Sequence, residues 1–284
     1  MRMLLAFAQT ILFIAIAPLL SGLISKIKNN VRMRKGASVF QPYYNLIKLF
    51  SKEEVISDTA SWIFKITPVV VFASVLAATI LISDFLSLNS AGNFLALIFI
   101  FALGRFFMTL AALDTGSSFG GMGSSREMFI SSLVEPVLCL TVFAYFLNGH
   151  ALSFCSVISA IALFLVTLAE TSRIPVDNQE THLELTMIHE AMLLEYSGKS
   201  LGLIELSSHL KQMILFYVIA WIVVPVNFSE FLFLGHIAVI IAIVIAVALV
   251  EVALAKMRLF RVTDFLGFAF VLGMLSVVCG MLGA

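Results

Sequence analysis

The feature that most constrains this chain is a series of eight long apolar segments, each about as long as a helix that crosses a bilayer. They cover roughly residues 3–24, 60–84, 93–113, 129–148, 152–170, 211–227, 231–254 and 264–283. Only 12% of the 284 residues are charged, whereas soluble proteins carry about 25%. The sequence therefore predicts an all-α polytopic membrane protein with a single membrane domain over residues 1–284.

Basic residues are found on only one side of the predicted membrane. Loops after odd-numbered spans contain many lysines and arginines, whereas loops after even-numbered spans contain none. Short loops rich in Lys and Arg remain in the cytoplasm. We therefore expect a multi-pass protein of the prokaryotic inner membrane, with both termini outside and its polar loops cytoplasmic.

Residues 42–52, PYYNLIKLFSK, are too few to cross a bilayer. At helical spacing, Tyr43, Leu46, Ile47 and Phe50 share one face and the lysines point elsewhere. This pattern predicts an amphipathic helix in the inner interface. It would serve either as a surface anchor or as a gate.

The segment 114–127, DTGSSFGGMGSSRE, is predicted to form an inner loop. Its glycines are not a nucleotide-binding loop, because no strand precedes them and no Gly-Lys-Ser/Thr follows. Close packing of neighbouring chain segments is the interpretation that we favour for them.

Four ionisable residues fall within or at the inner part of predicted spans: Arg105, Glu135, Glu170 and Glu251. A charge near the bilayer centre costs roughly 2.5 kcal/mol or more, so such groups face the bundle interior, pair, or mark an ion route. A static pair between Arg105 and Glu135 is one explanation. Three acids against one base leave a surplus, and we therefore predict a proton route.

The segment 168–198 is rich in acids and contains His182 and His189. Residues 180–195 include no Pro or Gly and predict a helix, with histidines opposite a stripe formed by Glu180, Glu184 and Glu195. Clustered carboxylates raise one another's pKa and imidazole titrates near neutral pH, as a proton-passing chain requires. The alternative is a solvated inner loop, residues 171–210, that docks a soluble partner.

Two phrases in this segment, AETSRIPVD at 169–177 and EYSG at 195–198, carry a family resemblance. They resemble signatures of the eight-helix subunit of respiratory complex I that borders the quinone chamber, and Arg126 with Glu135 resembles its pair at the fourth span. The resemblance covers essentially the whole chain. The stretch 181–192 is similar to the membrane-bound nickel–iron hydrogenase branch, which includes formate hydrogenlyase, hydrogenase-4 and energy-converting hydrogenases.

The resemblance implies a non-catalytic subunit of an oxidoreductase complex, which anchors soluble partners and couples their redox chemistry to proton or sodium translocation. The soluble large and small hydrogenase subunits would lie on the inner face and carry the nickel–iron centre and iron–sulfur clusters. Antiporter-like membrane subunits would be further partners in the lipid bilayer. The three cysteines lie in apolar runs without a ligand spacing, so no cofactor is expected in this chain, and no basic tract indicates nucleic-acid binding.

Candidate residues follow partly from the resemblance and partly from membrane depth, which alone introduces Arg105 and Glu251. The coupling route is predicted to involve Arg105, Glu135, Glu170, Arg173, Asp177, His182, Glu184, His189, Glu190, Glu195 and Glu251. The residues predicted to dock partners are Asp114, Arg126 and Glu180. Two alternatives remain: the quinone-chamber subunit of a complex I-like dehydrogenase, and a passive membrane anchor.

Overall fold

A computed structural model of the chain describes residues 2–57, 60–83, 91–147, 153–178, 187–224 and 232–282. Within these ranges the chain is helical and contains no strand, which confirms the all-α prediction. The helices are α1 Arg2–Val31, α2 Gln41–Ser51, α3 Trp62–Ser83, α4 Ala91–Asp114, α5 Ser118–Leu147, α6 Phe154–Glu170, α7 His189–Leu193, α8 Gly198–Val223, α9 Leu232–Ala253 and α10 Leu259–Leu282.

Seven of these helices, α1, α3, α4, α5, α8, α9 and α10, are long and apolar enough to cross a membrane. The eighth apolar helix, α6, has 17 residues and is therefore slightly shorter. Each of the eight overlaps one predicted span. The chain is thus a multi-pass membrane protein, and α2 is the short amphipathic helix predicted from its residue spacing.

Helix α8 lies at the centre of the bundle, where it packs against α1, α2, α3, α6 and α9. Leu210, Ile214 and Phe216 of this helix are fully buried. The helix begins at Gly198, so the predicted inner loop 171–210 is shorter than expected at its C-terminal end. Ser200 and Ser207 in the first turns of α8 consequently lie inside the bundle, whereas Lys199 is exposed.

The predicted loop 114–127 is wrong, because α5 begins at Ser118 and only residues 115–117 connect it to α4. Two of its glycines, Gly120 and Gly123, permit close packing as the sequence indicated, whereas a Cβ on Gly116 or Gly121 would meet nothing within 4 Å. A Cβ atom on Gly120 would lie 2.4 Å from the carbonyl oxygen of Ala112. On Gly123 it would lie 2.9 Å from the Cβ of Ala191 in α7.

Replacing Gly123 by alanine is expected to destabilise the docking of α7 on α5 by about 1–3 kcal/mol, because the added methyl group overpacks the contact. Gly121→Ala on the same helix is the matched control, since a Cβ there meets nothing within 4 Å. Both substitutions gain the same helix propensity. Thermal unfolding of the purified assembly compares them, and equal melting temperatures would contradict the close packing.

The predicted helix over 180–195 is also wrong in the part that the structure describes. Only residues 189–193 are helical, and Ile188 has φ −118° and ψ −80°, outside the helical region. The backbone N–H groups of Ile188 and His189 instead donate to Asp177 Oδ2, both at 3.2 Å. This long-range carboxylate acceptor fixes the start of α7. Residues 179–186, including Glu180, His182 and Glu184, lie outside the described residues.

Candidate functional site

The first ionic cluster, which we call the Arg105 cluster, comprises Arg105, Glu127, Glu135, Glu170 and Lys211. Arg105 Nη1 lies 3.0 Å from Glu135 Oε1, and Nη2 donates to Glu170 Oε1. Arg105 Nε lies 3.8 Å from Glu127 Oε1. Lys211 forms a second ion pair with Glu170. Four helices, α4, α5, α6 and α8, thus bring five ionisable side chains into one network.

Burial makes this network electrostatically significant. The side chain of Glu170 is only 3% exposed, and two cations compensate its charge. Glu135, by contrast, is 40% exposed. With every group ionised, three carboxylates and two cations give a net charge of −1. Uptake of one proton would neutralise the cluster, which is the property that a proton-exchanging site needs.

A cavity of about 60 Å³ adjoins the cluster and is lined by Arg105, Glu127, His189 and Lys211, with apolar side chains between them. Arg105 Nε is buried there and makes no hydrogen bond to a described residue. A buried water needs about 10–15 Å³ and polar partners. The cavity is therefore large enough for several waters, most of its wall is apolar, and His189 is among the polar residues that line it.

A second ionic cluster, the Glu251 cluster, surrounds Glu251 near the end of α9. Lys28 Nζ lies 3.1 Å from Glu251 Oε2, and Arg173 Nη1 lies 3.0 Å from Oε1. Arg173 Nη2 also donates to Gln212 Oε1 at 3.1 Å. The Glu251 side chain is 3% exposed and, like Glu170, has two cationic partners.

Sequence reasoning missed two of these bases. Lys28 lies beyond the predicted span 3–24, but α1 continues to Val31 and places it inside the bundle. Lys211 stands at the edge of a predicted span, but α8 begins 13 residues earlier, at Gly198. The sequence therefore suggested a surplus of buried acids only because these two bases were not included. The pair between Arg105 and Glu135 is present as part of a larger network.

Asp177 is brought to neither cluster. Its carboxylate accepts from the backbone N–H groups of Asn178, Ile188 and His189, and Lys256 Nζ lies 2.6 Å from Oδ1. Asp177 is 1% exposed. It connects the segment after α6 to the start of α7 and to the α9–α10 connection.

The remaining predicted residues lie outside both clusters. Glu195 is exposed and Glu190 is half-buried on α7. Arg126 Nη1 donates to the carbonyl oxygen of Met187 at 2.7 Å. Asp114 Oδ2 accepts from the backbone N–H of Ser61 at 2.8 Å. Arg126 and Asp114 thus have intramolecular partners, and their role in docking stays a prediction.

The EYSG phrase joins the α2–α3 connection to α8. The ring of Tyr196 stacks on Phe64 with centroids 4.0 Å apart, and burial raises the pKa of its phenol. Ser197 Oγ accepts from Val55 N and donates to Val55 O, both at 2.8 Å. Gly198 has φ +52°, and a Cβ there would meet the carbonyl oxygen of Glu53 at 2.6 Å. Both its left-handed conformation and this close approach favour glycine.

Fold and site together define a multi-pass membrane protein with two networks of ionisable side chains inside its helical bundle. The chain belongs to the NADH dehydrogenase family, whose model matches residues 3–281. This membership confirms the family resemblance carried by the two sequence phrases.

Two curated relatives come from Escherichia coli (strain K12). Formate hydrogenlyase subunit 4 is 31% identical over 289 residues, covering 91% of this chain and 92% of that protein. Hydrogenase-4 component C is 32% identical over 228 residues, covering 74% of this chain and 71% of that protein. Both similarities fit the hydrogenase branch that the segment 181–192 indicated.

A solved structure shares the fold. A chain of the membrane-bound sulfane sulfur reductase, an archaeal respiratory membrane complex, superposes with a TM-score of 0.80 at 16% identity. The similarity covers 98% of this chain and 99% of that chain. The whole bundle therefore has the architecture of a subunit of that complex.

Proposed function

We propose that this chain is the membrane-anchoring and energy-coupling subunit of a membrane-bound nickel–iron hydrogenase complex. Its similarity over most of its length to formate hydrogenlyase subunit 4 and hydrogenase-4 component C supports this role. Soluble large and small subunits, which we expect to hold the nickel–iron centre and the iron–sulfur clusters, dock on the cytoplasmic face. Antiporter-like subunits adjoin the chain in the inner membrane and carry protons or sodium ions.

The observation that carries the coupling role is the Arg105 cluster. One guanidinium contacts three carboxylates, so protonation of any one of them redistributes the hydrogen bonds of Arg105. Glu135 is the most exposed of the three acids in the cluster, and we assign the proton uptake to it. Proton uptake there leaves Arg105 bound to Glu170 and Glu127, and a local charge change becomes a change in the packing of α4, α5 and α6.

The signal from the soluble partners reaches this cluster through α7. His189 is the first residue of that helix and lines the 60 Å³ cavity next to Arg105. A partner that displaces the segment ending at Asp177 also displaces His189, because Asp177 accepts its backbone N–H. Redox-linked movement at the surface therefore changes the position of an imidazole and the water beside the buried acids.

The relatives favour this role over quinone handling, because both are named as components of formate hydrogenlyase or hydrogenase-4. The cavity beside Arg105, of about 60 Å³, is large enough to hold water next to the buried acids. We accordingly assign this cavity to proton transfer.

Replacing Glu135 by glutamine is expected to reduce ion translocation per hydrogen formed by about tenfold or more, in line with the loss of a positioned acid–base group. Assembly and hydrogen evolution should persist, because Arg105 retains Glu170 and Glu127. Inverted membrane vesicles report the flux with a pH-sensitive dye, and a sodium-sensitive dye distinguishes the two ions. Hydrogen evolution in the same vesicles provides the turnover.

Glu53→Gln is the control, since Glu53 is an exposed acid in the α2–α3 connection. Glu170→Gln is less suitable as a first test, because it also leaves Arg105 and Lys211 without their shared carboxylate. A passive anchor predicts that Glu135→Gln and Glu53→Gln translocate ions equally well. That equality would refute the coupling role.

A further inference from the structure

A second cavity, of about 160 Å³, lies beside the Glu251 cluster and has more polar walls than the first. It is bounded by α1, α2, the segment after α6, α8 and α9. Among its lining residues are Ser21, Lys28, Arg173, Glu205, His209 and Glu251. Neither Glu205 nor His209 takes part in the coupling route proposed above.

The direction of the hydrogen bonds around this cavity follows from donor chemistry. Arg173 can only donate, so the Gln212 atom that it contacts at 3.1 Å must be the amide oxygen Oε1. Ser21 Oγ lies 2.9 Å from the same oxygen and must therefore donate its only hydrogen to it. This leaves Ser21 Oγ as an acceptor toward its other neighbour.

That neighbour is His209 Nδ1, at 2.9 Å. Because the Ser21 proton is already used, Nδ1 carries the hydrogen and donates it to Ser21 Oγ. A neutral imidazole protonated at Nδ1 has its basic lone pair on Nε2. His209 Nε2 is buried and makes no hydrogen bond to a described residue. It lies 4.0 Å from Glu205 Oε1, one helical turn earlier on α8.

Charged groups face His209 from several elements. Lys28 comes from α1, Arg173 and Asp177 from the segment after α6, Glu205 from α8 and Glu251 from α9. Asp177 is paired with Lys256, and Glu251 with Lys28 and Arg173. Glu205 makes one ion pair within 4.0 Å among the described residues, that with His209. Glu190 of α7 adds a like charge near Glu205. A proton on His209 is therefore attracted by Glu205 and repelled by Arg173.

We propose that His209 and Glu205 form a second proton-exchange site, distinct from the Arg105 cluster. A proton from cavity water adds to the lone pair of His209 Nε2, and the resulting N–H faces the Glu205 carboxylate. His209 Nδ1–H continues to donate to Ser21 Oγ, so the ring does not need to flip. Through Ser21, Gln212 and Arg173 the added charge acts on Glu251. Its use in energy coupling rests on the function proposed above, whereas the protonation itself does not.

The test uses the whole membrane complex with ring-labelled histidine and infrared difference spectra between about pH 3 and about pH 9. This range extends below ordinary imidazole titration, because burial and the neighbouring Arg173 both oppose the protonation of His209. His209→Asn retains an N–H donor for Ser21 but has no titrating nitrogen. We expect it to remove one labelled imidazole signal from the difference spectrum. Glu205→Gln should keep this signal and shift its midpoint to lower pH, because the attracting carboxylate is lost.

His236→Asn is the control, because His236 is a buried histidine on α9 whose ring stacks on Tyr217. Its substitution should leave the His209 signal in place. An unchanged difference spectrum in His209→Asn would overturn the proposal, as would a midpoint that Glu205→Gln does not move. The proposed function fails separately, when Glu135→Gln leaves ion translocation intact.

Discussion

Replacing Arg105 by methionine is expected to destabilise the assembled subunit by about 3–5 kcal/mol, the cost of removing one partner from a buried ion pair. Arg105 is 7% exposed and contacts three carboxylates, of which Glu170 is almost fully buried. Its loss leaves Glu170 with Lys211 as its remaining cation and Glu135 without its guanidinium. The effect is measured by thermal unfolding of the purified complex, with the release of this chain as the signal.

Arg34→Met serves as the control, since Arg34 is exposed in the α1–α2 connection. Arg105→Lys should give an intermediate result, because a lysine cannot contact several carboxylates in the fork geometry of a guanidinium. The double variant Arg105→Met with Glu135→Gln should recover part of the loss, since the two residues interact directly. If Arg105→Met and Arg34→Met have the same melting temperature, the cluster contributes no net stability.

Replacing Asp177 by alanine is expected to release the start of α7 from the segment after α6. The substitution removes the acceptor for three backbone N–H groups and the partner of Lys256. Hydrogen bonds to a charged group contribute roughly 1.5–3 kcal/mol each. A local loss of about 3 kcal/mol corresponds to roughly a hundredfold faster amide exchange if this segment opens locally. Exchange at residues 187–193, followed by mass spectrometry, measures it.

Lys256→Met separates the two functions of Asp177, because it removes the ion pair and leaves the backbone acceptors in place. We expect a smaller increase in exchange than for Asp177→Ala. Glu195→Gln, an exposed acid after α7, should leave the exchange rates unchanged. Equal exchange in Asp177→Ala and Glu195→Gln would show that α7 is held by other contacts.

The sequence was sufficient for features that depend on local periodicity. Long apolar runs predicted each spanning helix, and the spacing of Leu46 with its apolar neighbours predicted α2. The AETSRIPVD and EYSG phrases predicted the family. Such features need only neighbouring residues, since a helix that spans a membrane satisfies its own backbone hydrogen bonds.

Other features depend on partners far away in the chain. Helix propensity predicted a helix over 180–195. The Asp177 carboxylate instead accepts hydrogen bonds from the N–H groups of Ile188 and His189, and α7 begins only at His189. Lys28 and Lys211 were not expected to be buried, because hydropathy does not show how far a helix continues beyond its apolar run. The roles of His209 and Glu205 depend on Ser21 and Gln212, which stand far apart in sequence.

Lys211 and Gln212 are consecutive residues of α8, yet the first binds Glu170 and the second binds Arg173. Successive side chains on a helix point about 100° apart, so one rigid helix contacts both clusters from different sides. A small rotation of α8 about its axis would lengthen one of these contacts and alter the other in the same movement. The helix can therefore act as a mechanical linkage, through which the protonation of one cluster depends on the protonation of the other.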